Sequence, residues 1–203
     1  MKMVEKAVLK AAALLVGSLM VSSAQAGDIK GKVTVQGLRS AENIAVYVDA
    51  IPGKKFDAPA QHAEIDQRRM AFVPHVTVVQ QDTTVDFLNS DSVSHNVYWP
   101  SISGNKKLAG QLGTWGKGEK KSFKFNNPGV ASLLCNIHPE MSAYIVVVST
   151  PYFAVTDSDG AFEIKGVPPG TYSLKTWSED GKVTTQSVTV TSGATNVDLT
   201  VKK

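Results

Sequence analysis

The segment LLCNIHPEM, residues 133–141, holds the chain's single cysteine, Cys135, with His138 and Met141 following at three-residue steps. A thiolate, an imidazole and a thioether form a soft donor set, and soft sulfur ligands select copper over hard cations. The local run offers one of each. A second imidazole from elsewhere would complete the two-His, one-Cys, weak-axial-Met arrangement of a blue-copper electron-transfer site. His95, in FLNSDSVSHNVYW (87–99), is the candidate. Other chemistries stay open on these residues alone. With Glu140 as a carboxylate the run is compatible with zinc, although a thioether lies outside zinc's usual ligand set. A cysteine beside a histidine can form a nucleophile–base pair, although a tight loop next to a methionine is a poor setting for activating the thiolate. Haem attachment through C-x-x-C-H needs a second cysteine, as a binuclear copper centre would.

The elements that must position these side chains read as strands. IKGKVTV (29–35), NIAVYVDA (43–50), MAFVPHVTVV (70–79), TTVDFLN (83–89), KSFKF (121–125), ASLLC (131–135) and AYIVVV (143–148) alternate or run apolar and are rich in β-branched residues. The last third adds YFAVT, AFEI, TYSLKTW, TTQSVTV and NVDLTV, punctuated by DSDG, VPPG, EDGK and TSGA. Many short strands at regular spacing with Gly and Pro between them predict an all-β sandwich or barrel. His95 then opens one strand, while Cys135, His138 and Met141 sit in the loop joining two others. Pro139 blocks helix formation there and stiffens the turn. The Gly-rich stretch 101–119 carries no clear pattern and is compatible with an edge strand or a short helix. DSDG (157–160) lacks the glycine and glutamate of a calcium loop and reads as a hairpin turn.

The first residues predict export. Lys2 and Lys6 precede an apolar run that ends in Ala24-Gln25-Ala26, the pattern of a secretory signal peptide with an A-x-A cleavage site. The expected location is periplasmic, with no membrane association after cleavage. The whole chain has 21 Lys+Arg and 18 Asp+Glu. The first 26 residues account for three and one of these, so 18 and 17 remain and the net charge is near +1. That balance gives no basic footprint for a nucleic-acid partner. A lone cysteine in an oxidising compartment is a dimer bridge, a reactive thiol or a metal ligand, and its neighbours favour the last.

Residues 64–149, with MAFVPHVTV, TTVDFLNSDSVSHNV and NNPGVASLLCNIHPEMSAYIVVV in that order, resemble a small cupredoxin of the plastocyanin and amicyanin type. The C-x2-H-x2-M loop has the short, amicyanin-like spacing. The resemblance implies a Greek-key sandwich and one type 1 copper ion held by His95, Cys135, His138 and Met141. It also implies that Asn96 ties its loop to the cysteine loop by hydrogen bonds. Two positions depart from the pattern. Gln81-Asp82 stands where a glycine turn is usual, with Asp82 expected to take the left-handed conformation, and Ser94 stands where proline often precedes the first histidine. These touch the redox tuning and leave the ligands in place.

GAFEIKGVPPGTYSLKTW (160–177) resembles the transthyretin-like sandwich of carboxypeptidase regulatory-like domains. Its usual opening strands, like GKVTV and IAVYVD, occur more than a hundred residues earlier. The expected organisation is a signal peptide at 1–26, the first strands of this sandwich at 27–55, a cupredoxin inserted at 56–149, and the rest of the sandwich at 150–203. Tandem domains are the alternative.

His75 is either an ordinary edge-strand residue or an auxiliary copper contact, His62 a solvated linker residue, and Tyr98 and Trp99 core aromatics beside the His95 strand. The expected function is electron carriage by a non-enzymatic monomer whose redox partner is a protein such as a cytochrome or a dehydrogenase, met at an apolar rim near His138, Pro100 and Pro139. A copper carrier or buffer, and a surface interaction module with a secondary copper site, are the alternatives.

Overall fold

The computed structural model describes residues 25–202; the signal-peptide reading falls almost wholly outside them. Two strands come first, β1 (Gly27–Val35) and β2 (Ala45–Val48). Nine follow: β3 (Ala63–Arg68), β4 (Ala71–Val73), β5 (Val76–Gln80), β6 (Thr83–Asn89), β7 (His95–Trp99), β8 (Gly110–Trp115), β9 (Lys120–Phe125), β10 (Gly129–Leu134) and β11 (Ser142–Val148). The last six are β12 (Phe153–Val155), β13 (Ala161–Val167), β14 (Gly170–Trp177), β15 (Thr184–Val190), β16 (Gly193–Asn196) and β17 (Leu199–Val201). No helix among the described residues is long and apolar enough to cross a membrane.

The strands form two sandwiches. One joins the sheet β4-β3-β6-β9 to the sheet β5-β11-β10-β7-β8, around Ile65, Phe72, Val85, Phe87, Trp99, Phe125, Leu133 and Ile145. This sandwich covers the residues that resemble a cupredoxin. The other joins β13-β1-β16, with β17 also on β1, to β12-β2-β14-β15, around Ile29, Val33, Val46, Ile164 and Leu174. β1 runs antiparallel to β13 and parallel to β16 and β17, and β2 pairs with β12 and β14. The first two strands of the chain therefore close a sandwich with the last six, and the cupredoxin lies between them in sequence.

Burial explains the patterns. β13 and β14 alternate buried and exposed residues because each has one face on a core. β11 does not alternate: Ala143, Ile145 and Val147 face the cupredoxin core, while Val146 and Val148 face a seam with the second sandwich. That seam also contains Val76 and Val78 of β5 and Ala45 of β2, flanked by Tyr47, Tyr144, Phe153 and Trp177. Each fully buried valine there contributes about 1.5 kcal/mol or more.

Three loops turn out differently from, or finer than, the sequence pattern. The 101–119 stretch holds both elements left open for it, a 3-10 turn at Lys106–Leu108 and the edge strand β8. Asp82 has φ +70° and its N–H donates to the Phe125 carbonyl at 2.8 Å. DSDG passes from β12 to β13, which lie in different sheets, so it is not a hairpin; the Asp157 carboxylate accepts the amides of Asp159 and Ala161, both at 2.9 Å.

Asp86 is buried on β6 and accepts bonds from Lys120 Nζ at 2.8 Å and Ser122 Oγ at 2.6 Å, with His62 Nδ1 at 3.1 Å. Burial pushes its carboxyl up, but these partners outweigh that and lower it to about 2 from 3.8. The folded value lies below the unfolded one, so this stabilisation is complete above pH 3.8 and is lost as pH falls towards 2. Metal-free protein is expected to lose up to about 2 kcal/mol through this window, and Asp86→Asn to flatten that slope in urea melts at successive pH values.

Candidate metal centre

β7 places His95 at its first residue, fully buried. The loop leading to it is anchored by Asn89, whose Nδ2 donates to the carbonyls of Val93 and Trp115, both at 3.0 Å. β10 ends at Leu134 and β11 begins at Ser142, so the loop 135–141 spans two paired strands with Cys135 and Met141 at its ends. Cys135 is 3% and Met141 1% exposed, packed in one core cluster. The Met141 amide donates to the His138 carbonyl at 3.0 Å, which closes the turn around Pro139.

One donor atom each from His95, Cys135 and His138 lies within 4.8 Å of the others. The two Nδ1 atoms face each other at 2.9 Å. Two nitrogens on one ion at about 2.0–2.1 Å each lie roughly 2.9–3.4 Å apart for angles between about 90° and the tetrahedral value, so this spacing is at the short end of that range. Cys135 is a free thiol. The donors therefore fit a single soft ion. No carboxylate belongs to this group among the described residues, and Glu140, the candidate zinc ligand, is exposed on the loop.

Around the ligands, Asn96 Oδ1 accepts the Asn136 amide at 2.7 Å, joining the His95 strand to the cysteine loop. Asp91 holds His95 from behind: its Oδ2 lies 2.9 Å from Nε2. A carboxylate only accepts, so Nε2 carries the proton and Nδ1 of the neutral ring offers its lone pair to the centre, as when a carboxylate orients a metal-binding histidine. Asp91 also accepts the amides of Arg69 and Met70, both left-handed at φ +54° and +59° in the β3–β4 turn. Burial pushes the Asp91 carboxyl up, yet the Met70, Arg69 and His95 bonds prevail and hold it below the usual range.

His75 lies outside the three-residue group. Its Nε2 is 2.8 Å from Glu179 Oε2, and Tyr144 donates to Glu179 Oε1 at 2.7 Å, so it serves a contact between the sandwiches. His62 is exposed and paired with Asp86. Trp99 is buried, with its Nε1–H on the Leu108 carbonyl at 2.9 Å, and Tyr98 is half-buried. Pro100 and Pro139 are both exposed.

Residues 59–148 match the family described as copper binding proteins, plastocyanin/azurin family. Residues 136–197 match a second, described as polysaccharide lyase family 4, domain II. Amicyanin-alpha of Methylorubrum extorquens is 29% identical over 92 residues, 45% of this chain and 76% of that protein. Among solved structures, a reduced Cu(I) amicyanin variant is 22% identical over 48% of this chain and 96% of that one, with a TM-score of 0.40. A purple cupredoxin from Nitrosopumilus maritimus is 22% identical over 42% and 98%, with a TM-score of 0.38. The part of the chain that builds the centre is similar to the cupredoxins, a class of copper-binding proteins. Within that class, its sequence is similar to amicyanin.

Proposed function

We propose that this is an exported, periplasmic, monomeric protein that carries single electrons between protein partners through one type 1 copper ion held by His95, Cys135, His138 and Met141. The convergence of the two Nδ1 atoms on a buried thiol carries this reading. When bound, the ion supplies a one-electron Cu(I)/Cu(II) change. The chain does the rest. Asp91 fixes the His95 tautomer, Asn96 locks the two ligand loops together, and the packed core keeps water from Cys135. Ligands held in this way move little when the charge changes, which favours rapid transfer. The half-buried His138 is the ligand that reaches solvent, between exposed Ile137 and Pro139. A small apolar rim there suits a transient redox contact with a cytochrome or a dehydrogenase. Deep burial of the other ligands speaks against a carrier that hands over the metal itself. In this reading residues 56–149 form the inserted electron carrier, and 27–55 with 150–203 form its host.

Addition of one equivalent of Cu(II) to residues 27–203 is expected to produce an intense thiolate-to-copper band that bleaches and returns on reduction and reoxidation. A colourless protein would refute the reading. Asp91→Ala is expected to weaken Cu(II) binding about 10–100-fold in a chelator competition. Asp91→Asn, which can still accept the Arg69 and Met70 amides, separates support of the turn from control of the His95 ring.

A further inference from the structure

Between residues 106 and 124 the chain carries six lysines, at 106, 107, 117, 120, 121 and 124, and one carboxylate, Glu119. Residues 56–105 of the same cupredoxin carry two arginines against six carboxylates. The positive charge is therefore gathered on one short stretch of a nearly neutral protein. That stretch comprises the 3-10 turn at Lys106–Leu108, β8 and β9. β8 and β9 are edge strands of the two cupredoxin sheets and touch along one open side of the sandwich. All six lysines are exposed. Lys120 and Lys124 pair with Asp86 and Asp82 at 2.8 and 3.4 Å. Among the described residues, Lys106, Lys107, Lys117 and Lys121 have no carboxylate within 4.0 Å.

This side adjoins the metal centre. Trp115 of β8 pairs with His95, and the Gly118 amide, next to Lys117, donates to the Asn89 carbonyl at 2.7 Å. Exposed Val93, in the loop before His95, and exposed Ile137, beside His138, give apolar ground near it. Phe123, 36% exposed, lies within the lysine run itself.

We propose that the face made by the 3-10 turn, β8 and β9 is the docking surface for a redox partner protein with an acidic surface, Lys106, Lys107, Lys117 and Lys121 supplying the charge that steers it to the rim at His138. This rests on the electron-carrier reading and names the chemistry of its partner. Unpaired lysines on an edge keep their field in solvent, where complementary charge raises association rates by about 10–10³-fold. The apolar residues beside them supply contact area that an acidic patch alone would not need. An anionic membrane is the weaker fit, because among the described residues no helix presents an apolar face to insert beside the lysines.

The test uses copper-loaded residues 27–203 and the variant with Lys106, Lys107, Lys117 and Lys121 all changed to Gln. Association with an acidic c-type cytochrome is followed by stopped flow and by amide shifts, with a basic c-type cytochrome as control. The acidic cytochrome is expected to associate roughly ten-fold or more slowly with the variant, and with wild type between about 0.01 and 0.15 M ionic strength. The basic one should show no such loss. Equal rates for wild type and variant at every salt would overturn the proposal while leaving the electron-carrier reading intact. Lysine-dependent shifts on this face without electron passage would support the docking surface and sink the carrier reading. Lysine-dependent binding to phosphatidylglycerol vesicles, with none to the acidic cytochrome, would overturn the proposal in favour of a membrane.

Discussion

Changing Cys135 to serine is expected to abolish the intense visible band of the Cu(II)-loaded protein while leaving the fold in place. The band needs a thiolate bound to the ion, and Cys135 is the chain's single thiol. Serine has nearly the same shape, so the core around Leu133, Met141 and Ala143 keeps its packing. Its hydroxyl, in a site 3% exposed, costs about 1–3 kcal/mol if it finds no partner. A modest fall in melting temperature should therefore accompany a complete loss of colour. Affinity for Cu(II) should fall by more than the 10–100-fold that loss of an outer partner costs, because a direct ligand is removed. Absorption and a chelator competition on the same samples check both. A serine variant that stays blue would show that the thiol is not the ligand.

The candidate centre was legible in part because three of its proposed members lie within seven residues, where C-x2-H-x2-M between two apolar runs leaves little freedom. His95 could be added because it opens a strand after a polar loop. Asp91 stood out less. It is four residues before His95, but its other partners, Arg69 and Met70, come from a distant hairpin whose left-handed positions are not glycines. No turn signal marks them. The surroundings of His75 were equally hidden, because Glu179 lies 104 positions away. The strand β8 stayed one of two options for 101–119 for a different reason. As an edge strand it buries only Trp115, so its sequence has no alternation to read. The pairing of β1 and β2 with strands beyond residue 150 was suggested by the likeness of GKVTV and IAVYVD to the opening strands of the sandwich that 160–177 resembles, with tandem domains as the alternative.

Gly31 offers the sharpest test of that closure. A Cβ at this position would overlap the Val197 carbonyl oxygen and lie 3.2 Å from the Phe162 ring. The first contact is with backbone, so no rotamer relieves it. Val197 sits where β16 gives way to β17, its amide bonded to the Lys30 carbonyl at 2.8 Å, while Asp198 accepts the Lys32 amide at 3.1 Å. Gly31→Val must force β1 away from both parallel partners. The expected cost to the host sandwich is about 3 kcal/mol or more, seen as loss of amide-exchange protection across β1, β13, β16 and β17. The copper band should survive at room temperature, since neither the cupredoxin core nor the ligand group draws a residue from β1. Undiminished protection in β1 would contradict the close approach at Val197. Loss of the band together with the host's protection would show that the seam of Val76, Val78, Val146 and Val148 makes the cupredoxin depend on its host for folding.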